Sequence, residues 1–323
     1  MIILLNICFL DSETLGTDLD LTAFNRFGES FIYKMTAPEQ VGTRIQDQDI
    51  VIINDTVNLN ENNLQAAARV KLICVAATGT DNVDLNYAKS RGITVCNVPG
   101  YSTQSVAQHT FALLFYLLES VSCYDYYVKS GQYERSNTVN HILKPFWELN
   151  KKTWGIIGMG KIGSTVAHIA EGFGCNIVYY STSGQHTSPK YTRLELDSLL
   201  NQSDIVSIHA PLNAQTLGLI GYPQLKQMNP HAILLNLGRG GIIKEADLAR
   251  ALDEGLIAGA GLDVLEQEPI LSPNPLLGIK QKDRLVITPH IAWTSIEARQ
   301  NLIGEVVSNI EAYLQGTPRN VVN

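Results

Sequence analysis

Thr153-Trp154-Gly155-Ile156-Ile157-Gly158-Met159-Gly160-Lys161-Ile162-Gly163 reads as a buried strand that breaks into a glycine turn and continues as a helix. Gly158, Gly160 and Gly163 fit G-x-G-x-x-G, and each has a mechanical task. The first allows the tight turn, the second lets a pyrophosphate approach the backbone, and the third lets helix and strand pack closely. The helix N-terminus adds unpaired N–H groups and the positive end of its dipole. Gly158 to Gly163, with Met159, Lys161 and Ile162 between the glycines, are therefore candidate dinucleotide contacts. Alone the pattern is weak, because glycine turns also serve as plain strand–helix connections. Its surroundings strengthen it. Val166, Ala167, Ile169 and Ala170 give helical apolar spacing over Ser164–Phe173, Gly172 and Gly174 close that helix, and Asn176–Tyr180 follows as a second strand. This strand–helix–strand unit is the context the fingerprint requires.

Outward from the turn, strand-like and helix-like segments alternate, which predicts α/β architecture with parallel sheets covered by helices. Before it, Ile2–Leu10, Asp49–Ile53, Leu72–Ala76 and Ile93–Asn97 read as strands, with helical stretches near Leu21–Phe27, Asn63–Ala68 and Leu85–Ser90. Ser102–Glu119 has the length and apolar character of a helix, and Pro99-Gly100 before it looks like a joint. After the turn, Ile205–His209, Ala232–Leu237, Ala258–Leu262 and Leu285–Ile287 are further short buried strands, and Ser295–Tyr313 a final amphipathic helix. The expected fold is two doubly wound, Rossmann-like parallel-sheet domains with a cleft between them. The expected division is 1–100 plus 291–323 for a discontinuous substrate domain and 101–290 for a dinucleotide-binding domain. The polar, tyrosine-rich stretch Ser122–Asn150 is too long for an ordinary loop. It reads either as a dimer-forming arm, near 120–150, or as a surface excursion.

Composition sets bounds on function. With 323 residues, 45% hydrophobic and 17% charged, the chain can bury two ordinary cores. Its net charge of −7, without basic clusters, argues against nucleic acid as a partner. Cys8, Cys74, Cys96, Cys123 and Cys175 are widely spaced with no C-x-x-C, as expected of buried thiols in a reducing compartment. The apolar start, Met1–Leu10, has no basic leader and reads as a core strand, not a signal peptide. No run approaches the roughly 18 apolar residues of a membrane span. A cytoplasmic protein with no membrane association is expected.

Three ionisable residues stand where a doubly wound sheet places its ligands, at or just beyond carboxyl ends of strands. Arg239 follows Leu234–Gly238, Glu268 lies past Gly261–Leu265, and His290 follows Val286–Pro289. An arginine among Gly238, Gly240 and Gly241 can present its planar fork to a carboxylate. A histidine is the ordinary proton donor near neutral pH, and a neighbouring carboxylate fixes its ring and its charge. Any one of them could be a surface or packing residue. Three at successive strand ends after a glycine fingerprint form a pattern. The other histidines show no metal spacing, so no metal is expected.

The chain resembles the D-isomer-specific 2-hydroxyacid dehydrogenases over essentially its whole length. The match is carried by Ala77–Asp84, Asn97–Ser102, Val106–Thr110, Gly158–Gly163, His209–Leu212, Asn236–Gly241, Gly261–Val264, Glu268-Pro269 and Pro289–Trp293. Within that family it looks most like the glycerate dehydrogenases, or hydroxypyruvate reductases. The resemblance implies an oxidoreductase that reduces hydroxypyruvate, or a similar small 2-ketoacid such as glyoxylate, with NADH. It implies that Arg239 holds the substrate carboxylate and carbonyl, that His290 protonates the forming alkoxide, and that Glu268 orients His290. It further implies that backbone N–H groups near Thr78 and Gly79 hold the carboxylate. Asp263 would contact the nicotinamide carboxamide, and Pro211, Thr216, Leu237 and Gly238 would border the nucleotide. A homodimer is implied too.

One departure concerns the cofactor. NAD-preferring units carry an acid about 20 residues after the first glycines, whereas here Ser181 fills that slot. Ser181 suits a ribose hydroxyl and tolerates a phosphate, so NAD is expected and NADP stays open, with His186 and Lys190 the nearby basic residues. Gln108 also replaces an acid found in many relatives. Trp293 beside His290 is either a pocket wall or a packing aromatic. Rival readings are a dehydrogenase for phosphoglycerate or a bulkier 2-ketoacid, and a non-catalytic, NAD-sensing corepressor-like protein.

Overall fold

A computed structural model describes residues 5–185 and 188–323. The chain divides into two compact units, Met1–Ser102 with Thr294–Asn323, and Thr103–Trp293. The first unit holds a parallel sheet of β1 (Leu5–Phe9), β2 (Gly28–Ile32), β3 (Ile50–Ile53), β4 (Leu72–Val75) and β5 (Thr94–Cys96) in the order β2-β1-β3-β4-β5. The second holds β6 (Thr153–Ile157), β7 (Asn176–Tyr180), β8 (Thr192–Arg193), β9 (Ile205–Ile208), β10 (Ile233–Asn236), β11 (Gly259–Leu262) and β12 (Leu285–Ile287), in the order β12-β11-β10-β9-β6-β7-β8. All pairings within both sheets are parallel.

Parallel strands covered on both faces need apolar side chains in both directions. Ile50–Ile53, Leu72–Val75 and Ile205–Ile208 are accordingly buried at every position. Each fully buried aliphatic side chain contributes about 1.5–3 kcal/mol, which offsets the roughly 1–2 kcal/mol lost in fixing its backbone. Separate cores result. Val51, Ile73 and Val95 belong to one, and Ile157, Val206, Leu234 and Leu262 to the other.

Two strands escape the sequence reading, β2 and β8. Both are edge strands with weak apolar signal, and neither contains a fully buried residue. The stretch expected to be helical over Asn63–Ala68 forms one helical turn, Glu61–Leu64, whose cap Asn60 accepts from the Asn62 N–H. Leu21–Phe27 becomes a 3₁₀ helix over Thr22–Phe27. The tyrosine-rich stretch contains a helix, Val121–Lys129, which the sequence reading did not separate. The final helix, Ile296–Leu314, starts at Ser295, whose hydroxyl accepts from the Ala298 N–H, and packs on β4 of the first unit. Among the described residues no helix is long and apolar enough to cross a membrane.

Candidate active site

Because the second sheet is wholly parallel, all its strand-end loops emerge at one edge. From β6 the chain runs outward through β7 and β8, then returns to lay β9 to β12 on the other side. The reversal lies between β6 and β9, the position where doubly wound sheets open a crevice. Gly158 sits there with φ +95°, and a Cβ on it would lie 2.9 Å from Ala210 N and His209 O. A Cβ on Gly163 would lie 2.2 Å from Gly158 O, so this glycine sets the helix–strand distance. Around Gly160, by contrast, a Cβ would meet nothing within 4 Å among the described residues. The helix it starts, Lys161–Gly172, has no side-chain cap at its N-terminus. Met159 is buried, Ile162 half-buried and Lys161 exposed.

Two buried polar atoms near this turn have no partner among the described residues. One is Ser181 Oγ, just past the end of β7, and the other is His209 Nδ1. Trp154 Nε1 donates to Ser207 Oγ at 2.9 Å, and that oxygen lies 3.1 Å from His209 Nε2. Burial pushes the His209 pKa down to about 3, so the ring is neutral. An uncapped helix start, an open glycine and two orphaned polar atoms at one sheet edge fit a dinucleotide. From sequence His209 reads only as a structural histidine; its place directly after β9 is the signal that could have marked it.

Pro211 and Thr216 belong to the turn after β9. Thr216 is fully buried, and its hydroxyl donates to Pro211 O at 2.7 Å and accepts from Asn213 N at 2.8 Å. Its side chain shapes the turn. Leu237 is buried beyond β10, and a Cβ on Gly238 would lie 2.7 Å from Ala210 O. His186 lies outside the described residues. Lys190 pairs with Glu171 at 2.5 Å.

The three strand-end residues meet on the other half of the edge. Gly240 passes so close to β11's loop that a Cβ would fall 1.7 Å from Leu265 O, which brings the Arg239 segment beside the Glu268 segment. Arg239 Nη1 donates to Gly238 O at 3.1 Å, and its own carbonyl accepts from Asn236 Nδ2 at 2.9 Å. His290 Nδ1 lies 2.7 Å from Glu268 Oε2, while Glu268 Oε1 accepts from the Leu265 N–H at 2.7 Å. Arg239, Glu268 and His290 line a single cavity of about 200 Å³ with Leu212 and Val264. That is below the roughly 300–1,000 Å³ of drug-sized pockets. Burial pushes the Glu268 carboxyl up, but the His290 hydrogen bond and charge, the Leu265 N–H and the Arg239 charge together hold it below the ordinary glutamate value.

The histidine loop is held from beneath. His290 has φ +54°, a left-handed conformation that costs a non-glycine residue on the order of 1–3 kcal/mol. Its N–H donates to Asp263 O at 2.8 Å and Thr288 O at 3.0 Å. The Ile291 and Ala292 N–H groups donate to the two carboxylate oxygens of Asp263, each at 2.9 Å. Asp263 is 2% exposed and also accepts from Thr288 Oγ1 at 2.6 Å. Thr288 has no role in the sequence reading, because a lone threonine in a strand end carries no chemical signature. Among the described residues no group of three or more His, Cys, Asp or Glu could hold a metal ion.

Thr78 and Gly79 lie in the first unit, beyond β4. Thr78 Oγ1 donates to Val98 O at 3.0 Å, and Thr78 O accepts from Asn97 Nδ2 at 2.7 Å.

Comparison with known proteins adds an independent line. The family model described as D-isomer specific 2-hydroxyacid dehydrogenase, NAD binding domain, matches residues 111–292. The chain is 38% identical over 317 residues to a glycerate dehydrogenase of Methylorubrum extorquens, covering 98% of each chain. It is 38% identical to a hydroxypyruvate reductase of Blautia hydrogenotrophica, covering 99% of this chain and all of that one (100%). Among solved structures, an acyclic imino acid reductase in complex with NADPH and D-Arg superposes with a TM-score of 0.87 at 33% identity, covering 98% of this chain and 100% of that one.

Proposed function

The chain belongs to the D-isomer specific 2-hydroxyacid dehydrogenase family, oxidoreductases acting on a CH–OH group, and on that premise we propose that it reduces hydroxypyruvate or a similarly small 2-ketoacid, such as glyoxylate, to the D-2-hydroxy acid. The observation that carries this reading is the convergence of Arg239 and the hydrogen-bonded Glu268–His290 pair on one small cavity. Arg239 binds the substrate carboxylate and turns its guanidinium toward the carbonyl oxygen. Glu268 engages Nδ1 of His290 and so leaves Nε2 as the atom that delivers the proton. A bound nicotinamide dinucleotide supplies the hydride. As negative charge grows on the carbonyl oxygen, the cation and the proton donor stabilise it more than they stabilise the ketone.

For the dinucleotide, the reading assigns the 158–163 turn to the pyrophosphate, Ser181 to the ribose, and Pro211, Thr216, Leu237, Gly238 and Asp263 to the nicotinamide side. Thr78 and Gly79 as carboxylate contacts rest on the family resemblance. NADH is the assigned donor, with the buried Ser181 Oγ, which has no partner among the described residues, taking a ribose hydroxyl. One observation favours NADPH as the second reading. The Arg193 guanidinium lies 3.9 Å from where a Cβ on Gly184 would be, putting a cation beside the loop that follows Ser181.

A homodimer is part of the proposal. Val121, Tyr126, Val128, Val139, Ile142 and Phe146 are all exposed, and apolar surface so concentrated in one stretch favours a protein partner. A second copy of this chain is the partner the family resemblance implies.

The test is an assay of small and bulky 2-ketoacids with each cofactor. NADH should be consumed fastest with hydroxypyruvate or glyoxylate. No turnover of any 2-ketoacid with either cofactor would favour the binding-protein reading, and a strong NADPH preference would overturn the cofactor assignment.

Glu268→Gln gives a pH test. The Glu268 carboxyl is held below its ordinary value, so its pairing with His290 persists above the ordinary glutamate range and is lost only as pH falls through the lowered value. The amide cannot stabilise the imidazolium. The pH above which kcat/KM for reduction declines should therefore move downward in the variant, as a pH–rate profile will measure. An unmoved alkaline limb would separate Glu268 from the acid.

A further inference from the structure

We infer that Thr288 and His109 are positioning residues for the proton donor, acting on it through Asp263; the inference rests on the reading of His290 as the acid. The Asp263 carboxylate, buried below the loop, accepts only, so the 2.6 Å contact with Thr288 Oγ1 uses the single hydroxyl proton of Thr288. The same oxygen lies 3.0 Å from His109 Nε2. With its proton committed to Asp263, Thr288 accepts there, and His109 carries a hydrogen on Nε2. A one-way chain follows: His109 Nε2–H to Thr288 Oγ–H to Asp263 Oδ1. His109 Nε2 and Asp263 Oδ1 are themselves 3.6 Å apart.

The far end of the chain determines the conformation of the active loop. Three successive N–H groups, those of His290, Ile291 and Ala292, all point at Asp263. They hold His290 at φ +54°, the conformation that sets Nδ1 against Glu268. Thr288 fixes where the carboxylate sits, and His109 fixes which way the Thr288 hydroxyl points. His109 comes from the long helix Thr103–Leu118, and Ser105 of the same helix donates to Ala292 O at 2.6 Å. One rigid helix thus grips the loop twice, at its carboxylate anchor and at its exit. Rigid support of this kind governs how well an acid is placed, and a misplacement of about 1 Å can cost 10²-fold in rate.

The experiment compares T288V, T288S, H109F and H290Q by steady-state kinetics, NADH dissociation constant and thermal unfolding. T288V keeps the side-chain volume but can neither donate to Asp263 nor accept from His109. It should lose about 10²-fold in kcat, with the NADH dissociation constant within about threefold of the parent. T288S restores the hydroxyl and should recover most of the loss. H109F should lose about tenfold. The double variant T288V/H109F should be no slower than T288V, because both changes break one chain. Should T288V be too unstable to assay, H109F with T288S carries the test. Parental kcat in both T288V and H109F, or equal losses in T288S and T288V, would overturn the inference. Full activity in H290Q would instead overturn the reading beneath it.

Discussion

Replacing His290 with glutamine is expected to lower kcat for ketoacid reduction by about 10²–10⁴-fold, the usual worth of a positioned general acid. Glutamine can still reach toward Glu268 but has no proton to give up to an alkoxide. The cofactor contacts proposed for the 158–163 turn and Ser181 stand on β6 and β7, whereas His290 follows β12 at the far edge of the sheet. NADH affinity, measured by fluorescence titration, should stay within about threefold of the parent. The expected pattern is thus a collapse of turnover with intact cofactor binding, which is the signature of an interaction made only in the transition state. Thermal unfolding should shift little, since the His290–Glu268 pair is about one-third exposed, with side-chain exposures of 28% and 36%, and such pairs contribute little to stability. Unchanged kcat would remove His290 from the role of acid.

How much of this could be read in the chain itself differs by residue, and the reasons are physical. Strands buried on both faces must be apolar throughout, so Ile50–Ile53 and Ile205–Ile208 announce themselves as short unbroken runs. An edge strand has no such requirement. Gly28-Glu29-Ser30-Phe31-Ile32 carries two apolar side chains and is paired only with β1, so nothing local distinguishes it from loop. The Val121–Lys129 helix is hidden for a related reason. It follows closely on a longer helix and is set off by Ser120 at φ +51°, a break no residue type there predicts. At the site, Arg239, Glu268 and His290 are legible because parallel topology gathers every strand end at one edge, so position after a strand is already position in space. Thr288 and His209 are not. Their significance lies in their hydrogen-bond networks, whose members are as far apart in sequence as Trp154 from Ser207 and His109 from Thr288.

Arg239→Ala is expected to damage binding and turnover together, which separates it from His290→Gln. The guanidinium is assigned two tasks. Its hold on the substrate carboxylate is present in the ground state as well as the transition state, and a charged hydrogen-bonded contact of this kind is worth about 1.5–3 kcal/mol, or about 10–100-fold in KM. Its approach to the carbonyl oxygen strengthens as that oxygen becomes an alkoxide, and loss of one such donor costs about 10²–10³-fold in kcat. The product is a fall of about 10³–10⁵-fold in kcat/KM. Arg239→Lys should recover part of the KM loss but little of kcat, since an ammonium supplies the charge without the planar fork that can face carboxylate and carbonyl at once. The backbone should not respond to either change. The close approach of Gly240 to Leu265 and the Asn236 bond to the Arg239 carbonyl hold the segment independently of the side chain. A variant whose loss appeared only in KM would keep Arg239 as a substrate clamp and strip it of any part in stabilising the alkoxide; one with parental kcat/KM would strip it of both.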